Sequence, residues 1–126
     1  MNFKLTGIVA HGKRIGRKLG FPTANIESDR AVVLPDDGVY VARIWIADEK
    51  TPHLCVIDQG IHPTLPEGKP TIEAFILDFD RDIYDAHVEV EYLRFLRPEI
   101  RFDSIDDLIV QMHRDVAEAR MEGKQA

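Results

Sequence analysis

The sequence predicts a mainly β domain, a barrel or a sandwich, with one α-helix at its C-terminal end. Most of the first hundred residues form short segments rich in β-branched and aromatic residues, separated by Gly, Pro and Asp. This pattern is typical of antiparallel strands joined by turns. A helical period appears only after residue 104. Because 126 residues with 44% hydrophobic content suffice for one core, we expect a single domain over residues 1–126.

Five segments are expected to be strands. The clearest covers residues 87–92, where apolar and polar residues alternate as in a half-buried strand. In residues 39–46 and 72–77 both faces are largely apolar, so these segments should run through the interior or beneath a covering loop. The predicted strands cover residues 5–10, 38–47, 54–57, 71–78 and 87–95.

The C-terminal helix has a start signal and an apolar face. Ser104 is a suitable N-cap, and Asp107 three residues later completes a weaker form of the capping box. Six apolar residues then recur at helical spacing, namely Ile105, Leu108, Ile109, Met112, Val116 and Ala119. We expect this stripe to pack against the barrel, the alternative being a helix that binds a partner. The polar residues 122–126 are expected to fray.

Charge and cysteine content argue against several classes of protein. The net charge of −6 is unsuited to binding nucleic acid or an anionic membrane, which usually requires a broad basic surface. No segment approaches the roughly 20 apolar residues that span a bilayer, and the first residues do not have the charge order of a secretory signal. Cys55 is the single cysteine, so a disulfide within the chain is excluded and a reducing cytoplasm is the natural compartment. We expect a monomer.

A glycine-rich basic segment over residues 7–20 is the strongest local signal for a ligand. Its first part, GIVAHGK at residues 7–13, matches seven positions of a phosphate-binding P-loop. However, Arg14 stands where Ser or Thr is needed, and no helical pattern follows. The segment holds four cations interleaved with glycines, whose backbone N–H groups can approach an anion closely. It therefore indicates a phosphate site of another kind, with a solvated basic turn as the alternative.

Two polar side chains that follow Pro22 suit a metal ion. Thr23 and Asn25 are two residues apart, so they point to the same side if the chain is extended. Their hydroxyl and amide oxygens are hard ligands, which Mg²⁺ prefers when it carries a nucleotide phosphate. The alternative is a simple turn in which both side chains bond to the backbone.

Four strings in the chain resemble the riboflavin kinase family, in the family's order. They are GRKLGFPTAN at residues 16–25, LPDDGVY at 34–40, TIEAFILDF at 71–79, and LRPE at 96–99 followed by FDS. The likeness covers roughly residues 5–120. It implies a six-stranded antiparallel β-barrel with a C-terminal α-helix packed on it. It also implies the transfer of the γ-phosphate of ATP to the 5′-hydroxyl of riboflavin, giving FMN and ADP.

The resemblance also assigns roles to residues. It makes Glu73 the catalytic carboxylate, and it makes Thr23 and Asn25 the ligands of the Mg²⁺ that accompanies ATP. The ATP and phosphate contacts that it implies are Gly12, Gly16, Arg17, Lys18, Gly20 and Thr23. The flavin contacts that it implies are Gly60, His62, Thr64, Asp82 and Arg97.

The position of Glu73 suits this role on independent chemical grounds. It lies among Ile72, Ala74 and Phe75, so its carboxylate should be shielded from bulk water. Desolvation raises the pKa of a carboxyl group in general and improves it as an acceptor of a proton from an alcohol. The alternative is a surface glutamate on an edge strand.

Several acceptor-side residues have structural alternatives. Arg97 could form an ion pair with Glu99 or with the helix instead of contacting flavin. Trp45 and Phe75 could stack on the flavin ring, but a place in the barrel core is the expected role of such large residues. The five histidines show no metal-ligand spacing, so we expect no zinc site.

Three features depart from the family's pattern on the flavin side. Asp58 and Gln59 precede Gly60, where the family usually carries Asn before the glycine. Phe75 takes the place of a usual His, and Asp85 takes the place of a usual Gly. Because no metal or phosphate ligand is removed, these changes bear on riboflavin affinity more than on ATP binding.

Two alternative functions remain beside the kinase. The first is a catalytically weak flavin- or nucleotide-binding regulatory module on the same barrel, and the second, ranked last, is a barrel that binds single-stranded nucleic acid. Bacterial members of the family are often fused to an N-terminal nucleotidyltransferase that makes FAD. These 126 residues hold no such domain, so FAD synthesis is not expected from them.

Overall fold

Six strands and one helix make up most of the described part of the chain. The computed structural model describes residues 3–11, 23–64 and 70–125. The strands are β1 (Lys4–Ala10), β2 (Ala24–Ser28), β3 (Gly38–Ile46), β4 (His53–Gly60), β5 (Thr71–Ile76) and β6 (His87–Arg97). Helix α1 (Ile105–Gln125) follows them.

The strands close into an antiparallel barrel in the order β1, β2, β5, β4, β3, β6. Strand β6 returns to pair with β1, so that Leu5 lies opposite Val90, and closure leaves no free edge among the described strands. The register between β3 and β6 shifts twice within residues 39–42, and such bulges bend strands at the rim of a barrel. The six-stranded barrel with a C-terminal helix is thereby confirmed.

Strand β2 is an addition to the five strands predicted from the residues. Its sequence, ANIES, is short and mixed, and the strand exists because both of its neighbours pair with it. Val9 of β1 lies opposite Ile26, and Glu73 of β5 lies opposite Asn25. Asn25 therefore lies in a strand and not in a turn, which corrects one of the alternatives above.

The interior of the barrel is an apolar core. Alternate residues of each strand point inward, and Leu5, Ile44, Ile57 and Val90 are at most 1% exposed. Burying a side chain of this size contributes about 1.5–3 kcal/mol relative to leaving it in water. The core therefore holds the six strands in their register.

A second apolar cluster lies outside the barrel, beneath α1. Val39, Val41 and Val56 point away from the interior and pack with Leu77 and Ala119. Strand β3 is apolar on both faces because one face lines the barrel and the other lies under the helix. The covering element is α1, which corrects the expectation of a covering loop.

Helix α1 begins as predicted. The backbone N–H of Asp107 donates to Ser104 Oγ at 3.1 Å, which satisfies one of the free donors of the first turn. Ala119 is buried against the barrel, whereas Ile105 at the start of the predicted stripe is 38% exposed. The packing role of the stripe is confirmed for Val116 and Ala119. The helix extends to Gln125, and the fraying of residues 122–126 stays a prediction. Among the described residues, no helix has the length and apolar character that crossing a bilayer requires.

A buried polar network joins one end of the barrel to the loop before β3. Gln59 is 2% exposed, and its Nε2 donates to the carbonyl oxygen of Pro35 at 2.8 Å. Its Oε1 accepts a hydrogen bond of 2.8 Å from the Tyr92 hydroxyl. Tyr40 donates to the carbonyl oxygen of Asp36, and burial, followed by the nearby Asp36 and Asp37 carboxylates, raises the pKa of Tyr40. Gln59, which departs from the family's pattern, thus has a structural role here.

Candidate active site

A row of three polar residues crosses the outer face of the barrel. Asn25 on β2 lies opposite Glu73 on β5, and Glu73 lies opposite Asp58 on β4. Directly paired residues of antiparallel strands project from the same face. Because the neighbours Ala74 and Ile57 are buried in the core, this row faces outward. The fold thus places the amide oxygen of Asn25, a possible metal ligand, beside the carboxylate of Glu73.

Glu73 is half-buried on this outer face. It alternates with Ile72 and Ala74, which are buried. The strand that carries it lies between β2 and β4, so Glu73 is not on an edge strand, and the edge-strand alternative is wrong. Its predicted role as the catalytic carboxylate stays a prediction.

Thr23 and Asn25 flank the buried Ala24 and are both half-buried. This alternation agrees with the expectation that the two side chains share one side of the chain. Two cavities of about 340 Å³ each border them. Thr23 lines one cavity together with Asp82, and Asn25 lines the other together with Gly60.

The glycine-rich phosphate loop lies outside the described residues. The predicted ATP contacts at these positions are Gly12, Gly16, Arg17, Lys18 and Gly20. Thr23 is the first residue described after them. The loop's role stays a prediction from the sequence.

Beside Glu73, a histidine meets two carboxylates. Nδ1 of His62 lies 3.3 Å from Asp58 Oδ2 and 3.2 Å from Glu99 Oε2. The side chains of His62 and Glu99 are 8% and 10% exposed, and that of Asp58 is 40% exposed. We call these three residues the Asp58–His62–Glu99 cluster. It joins β4, the loop that follows β4, and the segment that follows β6.

The cluster shifts the acidity of its members. Burial disfavours the charged imidazole, but the carboxylates of Asp58, Glu73 and Glu99 outweigh it and raise the pKa of His62 to about 9. Burial, together with the nearby Asp58 carboxylate, raises the pKa of Glu99 to about 8. Burial alone would raise the pKa of Asp58. The interactions with His62 and Arg97 outweigh burial and hold this pKa below the usual range. Perturbed groups gathered at one place are typical of functional sites.

The loop that carries His62 is held in an unusual backbone conformation. His62 has φ of 55° and Gly60 has φ of 138°, both in the region that favours glycine. The backbone N–H of His62 donates to Glu99 Oε2 at 3.1 Å. A Cβ atom at Gly60 would collide with the Glu99 carboxylate. Glycine is therefore required at position 60 by both conformation and space.

Arg97 is engaged with the helix. Its Nη2 and Nε donate to Asp115 Oδ2 and Oδ1 at 2.8 and 3.1 Å, and Asp115 is 4% exposed. Gln111 Nε2 also donates to Asp115 Oδ1, at 3.1 Å. The structural alternative for Arg97 is therefore observed, with the helix and not Glu99 as its partner. A flavin contact by Arg97 stays a prediction.

The remaining predicted flavin contacts lie in two places. Thr64 Oγ1 accepts a hydrogen bond of 3.0 Å from the backbone N–H of Phe102, on the same side of the molecule as the segment with Glu99. Asp82 Oδ1 accepts from the backbone N–H of Tyr84 at 3.0 Å, in the loop that lines the other cavity. The structure thus separates Asp82 from Gly60. Phe75 is partly buried in the apolar cluster under α1 and not inside the barrel, which corrects the expectation of a place in the barrel core.

Two acidic residues of this region were not predicted as site residues. Glu99 and Asp115 are far in sequence from His62 and Arg97, so their proximity follows from the barrel and from helix docking. The spacing of Asp58 and His62, four residues apart, was the one local signal. The spacing of the histidines alone does not contain this signal, because the neighbours of His62 in the cluster are carboxylates.

The closed six-stranded barrel with its C-terminal helix is the fold of a solved riboflavin kinase. Residues 1–122 match the family model described as "Flavokinase: Riboflavin kinase". The chain belongs to this riboflavin kinase family.

Relatives and a solved structure agree with this membership. A bifunctional riboflavin kinase/FMN adenylyltransferase of Listeria monocytogenes is 36% identical over 115 residues, which cover 90% of this chain and 36% of that protein. The RNA-binding riboflavin kinase RibR of Bacillus subtilis is 39% identical, covering 90% of this chain and 48% of that protein. The crystal structure of riboflavin kinase from Trypanosoma brucei superposes with a TM-score of 0.72 at 27% identity, over 96% of this chain and 76% of that one. The chain thus spans between about a third and a half of these curated relatives.

Proposed function

We propose that this chain phosphorylates riboflavin, with Mg·ATP as the phosphate donor. The 5′-hydroxyl oxygen of riboflavin forms a bond to the γ-phosphorus, and the bond between that phosphorus and the β,γ-bridging oxygen breaks. The products are FMN and ADP. The proton of the hydroxyl group passes to the Glu73 carboxylate.

The observation that carries this proposal is the pairing of Asn25 with Glu73 across β2 and β5. Phosphoryl transfer depends on bringing a metal-bound phosphate and an acceptor hydroxyl together. A hard ligand and a proton acceptor on adjacent strands, projecting from one face, supply the two protein groups that this needs. A general base of this kind contributes about 10²–10⁴ in rate.

The residues at this site fit a magnesium ion. The Thr23 hydroxyl and the Asn25 amide are oxygen donors, half-buried on either side of Ala24, and Mg²⁺ prefers a few such ligands plus substrate phosphates and water. When bound, the ion neutralises negative charge on the phosphates. The protein's own contribution is to hold the Asn25 oxygen on a paired strand and the Thr23 oxygen two residues earlier, just before that strand begins.

The remaining contacts belong to the same proposal. Gly12, Gly16, Arg17, Lys18 and Gly20 would cradle the phosphates with backbone N–H groups and side-chain charge. On the acceptor side, the proposed flavin contacts are Gly60, His62, Thr64, Asp82 and Arg97. The backbone of His62 and the side chains of Thr64 and Asp82 are fixed by hydrogen bonds within the protein, which supports a role in shaping the flavin site.

We also propose that the chain works in the cytoplasm, as a monomer, without nucleic acid. The net charge of −6 disfavours binding to a polyanion, and the buried Cys55 thiol suits a reducing compartment. Because one relative is named RNA-binding, gel shift with single-stranded RNA is the relevant check. Light scattering after gel filtration tests the monomer.

Incubation of the chain with riboflavin, ATP and Mg²⁺, followed by chromatographic separation of flavins, tests the function. We expect FMN and ADP in equal amounts. Binding of flavin or ATP without formation of FMN would instead favour a regulatory module and would contradict the proposal.

A further inference from the structure

We propose that the Asp58–His62–Glu99 cluster binds one divalent transition-metal ion of the Zn²⁺ class. This site is separate from the Mg·ATP ligands Thr23 and Asn25. Its ligands would be one oxygen of Asp58, Nδ1 of His62 and one oxygen of Glu99, each able to reach a common point because these atoms lie within 4.8 Å of one another.

The spacing of the ligand atoms matches such an ion. Zn²⁺ binds imidazole nitrogen and carboxylate oxygen at about 2.0–2.1 Å in a tetrahedral arrangement, so two of its ligand atoms lie about 3.3 Å apart. Nδ1 of His62 is 3.3 Å from Asp58 Oδ2 and 3.2 Å from Glu99 Oε2. Two edges of a tetrahedral face are therefore at the spacing that zinc requires, and the third edge, between Asp58 and Glu99, lies within 4.8 Å. The fourth position is left for water or another ligand.

The cluster also contains polar atoms that need a partner. His62 is more than nine-tenths buried, and neither its Nδ1 nor the buried Oδ1 of Asp58 has a hydrogen-bond partner among the described residues. The close contacts of Nδ1 with the two carboxylates lack hydrogen-bond geometry. A buried polar group without a hydrogen-bond partner is destabilising, so an ion bound to these atoms would satisfy them.

The other nitrogen of His62 is arranged as in metal sites. Nε2 is hydrogen-bonded to the Thr71 hydroxyl. When Nε2–H donates to that oxygen, the lone pair of Nδ1 is directed into the cluster. Metal-binding histidines commonly have their second nitrogen held in this way.

The ligand set selects the class of ion. One imidazole and two carboxylates suit zinc and its first-row neighbours, whereas Mg²⁺ and Ca²⁺ prefer oxygen ligands alone. The ion would join the end of β4, the loop at His62 and the segment with Glu99, and so would clamp the loop beside the proposed flavin site. It would also take the place of the proton that Glu99 otherwise holds beside Asp58.

Calorimetric titration of the full chain with ZnCl₂, in excess Mg²⁺ and after prior chelation, tests the site. We expect saturable binding of one Zn²⁺, weakened at least about tenfold by Glu99→Gln and by His62→Gln. His53→Gln is the matched control, because His53 Nε2 contacts Glu49 Oε1 at 3.1 Å with the same four-residue spacing. Among the described residues, His53 belongs to no group of three possible metal ligands. The control should bind Zn²⁺ as the parent does.

Two outcomes would overturn the proposal. One is a parent chain without saturable Zn²⁺ binding, and the other is an equal loss of binding in His53→Gln and in the cluster variants. If circular dichroism shows that Glu99→Gln or His62→Gln has not folded, Asp58→Asn is titrated in its place, because asparagine keeps the shape of the aspartate side chain. Anomalous scattering at the zinc edge from crystals of the parent chain should place a single peak among the three side chains, and a peak elsewhere would exclude the site.

Discussion

Glu73 and Asn25 lie opposite each other on β5 and β2, and both side chains project from the outer face of the barrel. This relationship couples the proposed proton acceptor to the proposed metal ligand through a rigid element, since strands hold side chains more firmly than loops do.

Glu73→Gln should lower the rate of phosphoryl transfer by at least about 10²-fold, because glutamine keeps the size and polarity but cannot accept the proton. Affinity for ATP and riboflavin should change little. Single-turnover kinetics with both ligands saturating measure the rate. A variant within about threefold of the parent would show that Glu73 is not the base.

The matched control for this substitution is Glu89→Gln. Glu89 is also a half-buried glutamate between inward residues of a strand, but β6 lies on the opposite side of the barrel from β5. It should retain the parent rate. Equal losses in the two variants would point to a general effect on the fold.

Thr23→Ala and Asn25→Ala should each depress turnover strongly and raise the Mg²⁺ concentration needed for half-maximal rate, because each removes one oxygen ligand. Thermal unfolding should stay close to that of the parent for Thr23→Ala. The control is Thr6→Ala, which removes an exposed hydroxyl bonded to Asp29 at 2.9 Å. Near-normal FMN production at low Mg²⁺ by both variants would remove these residues from the site.

Arg97→Ala should destabilise the protein by about 3 kcal/mol or more, since it leaves the buried Asp115 carboxylate without its cation. The double variant with Asp115→Asn should recover part of this loss. Urea unfolding with a two-state fit gives the free energies. Arg120→Ala, which breaks an exposed pair with Asp78, is the control and should cost much less.

The Arg97 variant also separates two roles of this residue. If the arginine contacts flavin, the folded variant should show a raised KM for riboflavin at unchanged KM for ATP. A loss of stability without that change in KM would assign Arg97 to helix docking alone.

Gln59→Leu should destabilise the protein by about 1–3 kcal/mol, because the buried Tyr92 hydroxyl and the Pro35 carbonyl each lose their partner. Adding Tyr92→Phe should cost less in this background than in the parent, since the hydroxyl has then no acceptor to lose. Denaturation of the four proteins measures this coupling. Strict additivity of the two losses would contradict the Gln59–Tyr92 hydrogen bond as a source of stability.

Local patterns determined much of this protein. The alternation of residues 87–92, the N-cap at Ser104 and the apolar stripe of α1 depend on neighbours in the chain, and the structure retains all three. The string around Thr23 and Asn25 indicates the family for the same reason, because its residues follow one another directly in the chain.

Only the tertiary structure decided the rest. Strand β2 forms because β1 and β5 supply its hydrogen bonds from both sides, and nothing in ANIES alone requires it. The partner of Arg97 depended on where α1 docks. The meeting of Asp58, His62 and Glu99 depended on the pairing of β4 and β6 with β3, which places the C-terminal ends of both strands beside the start of β3. Such contacts join residues distant in the chain, and their energy appears only once the barrel has closed, so no local pattern records them.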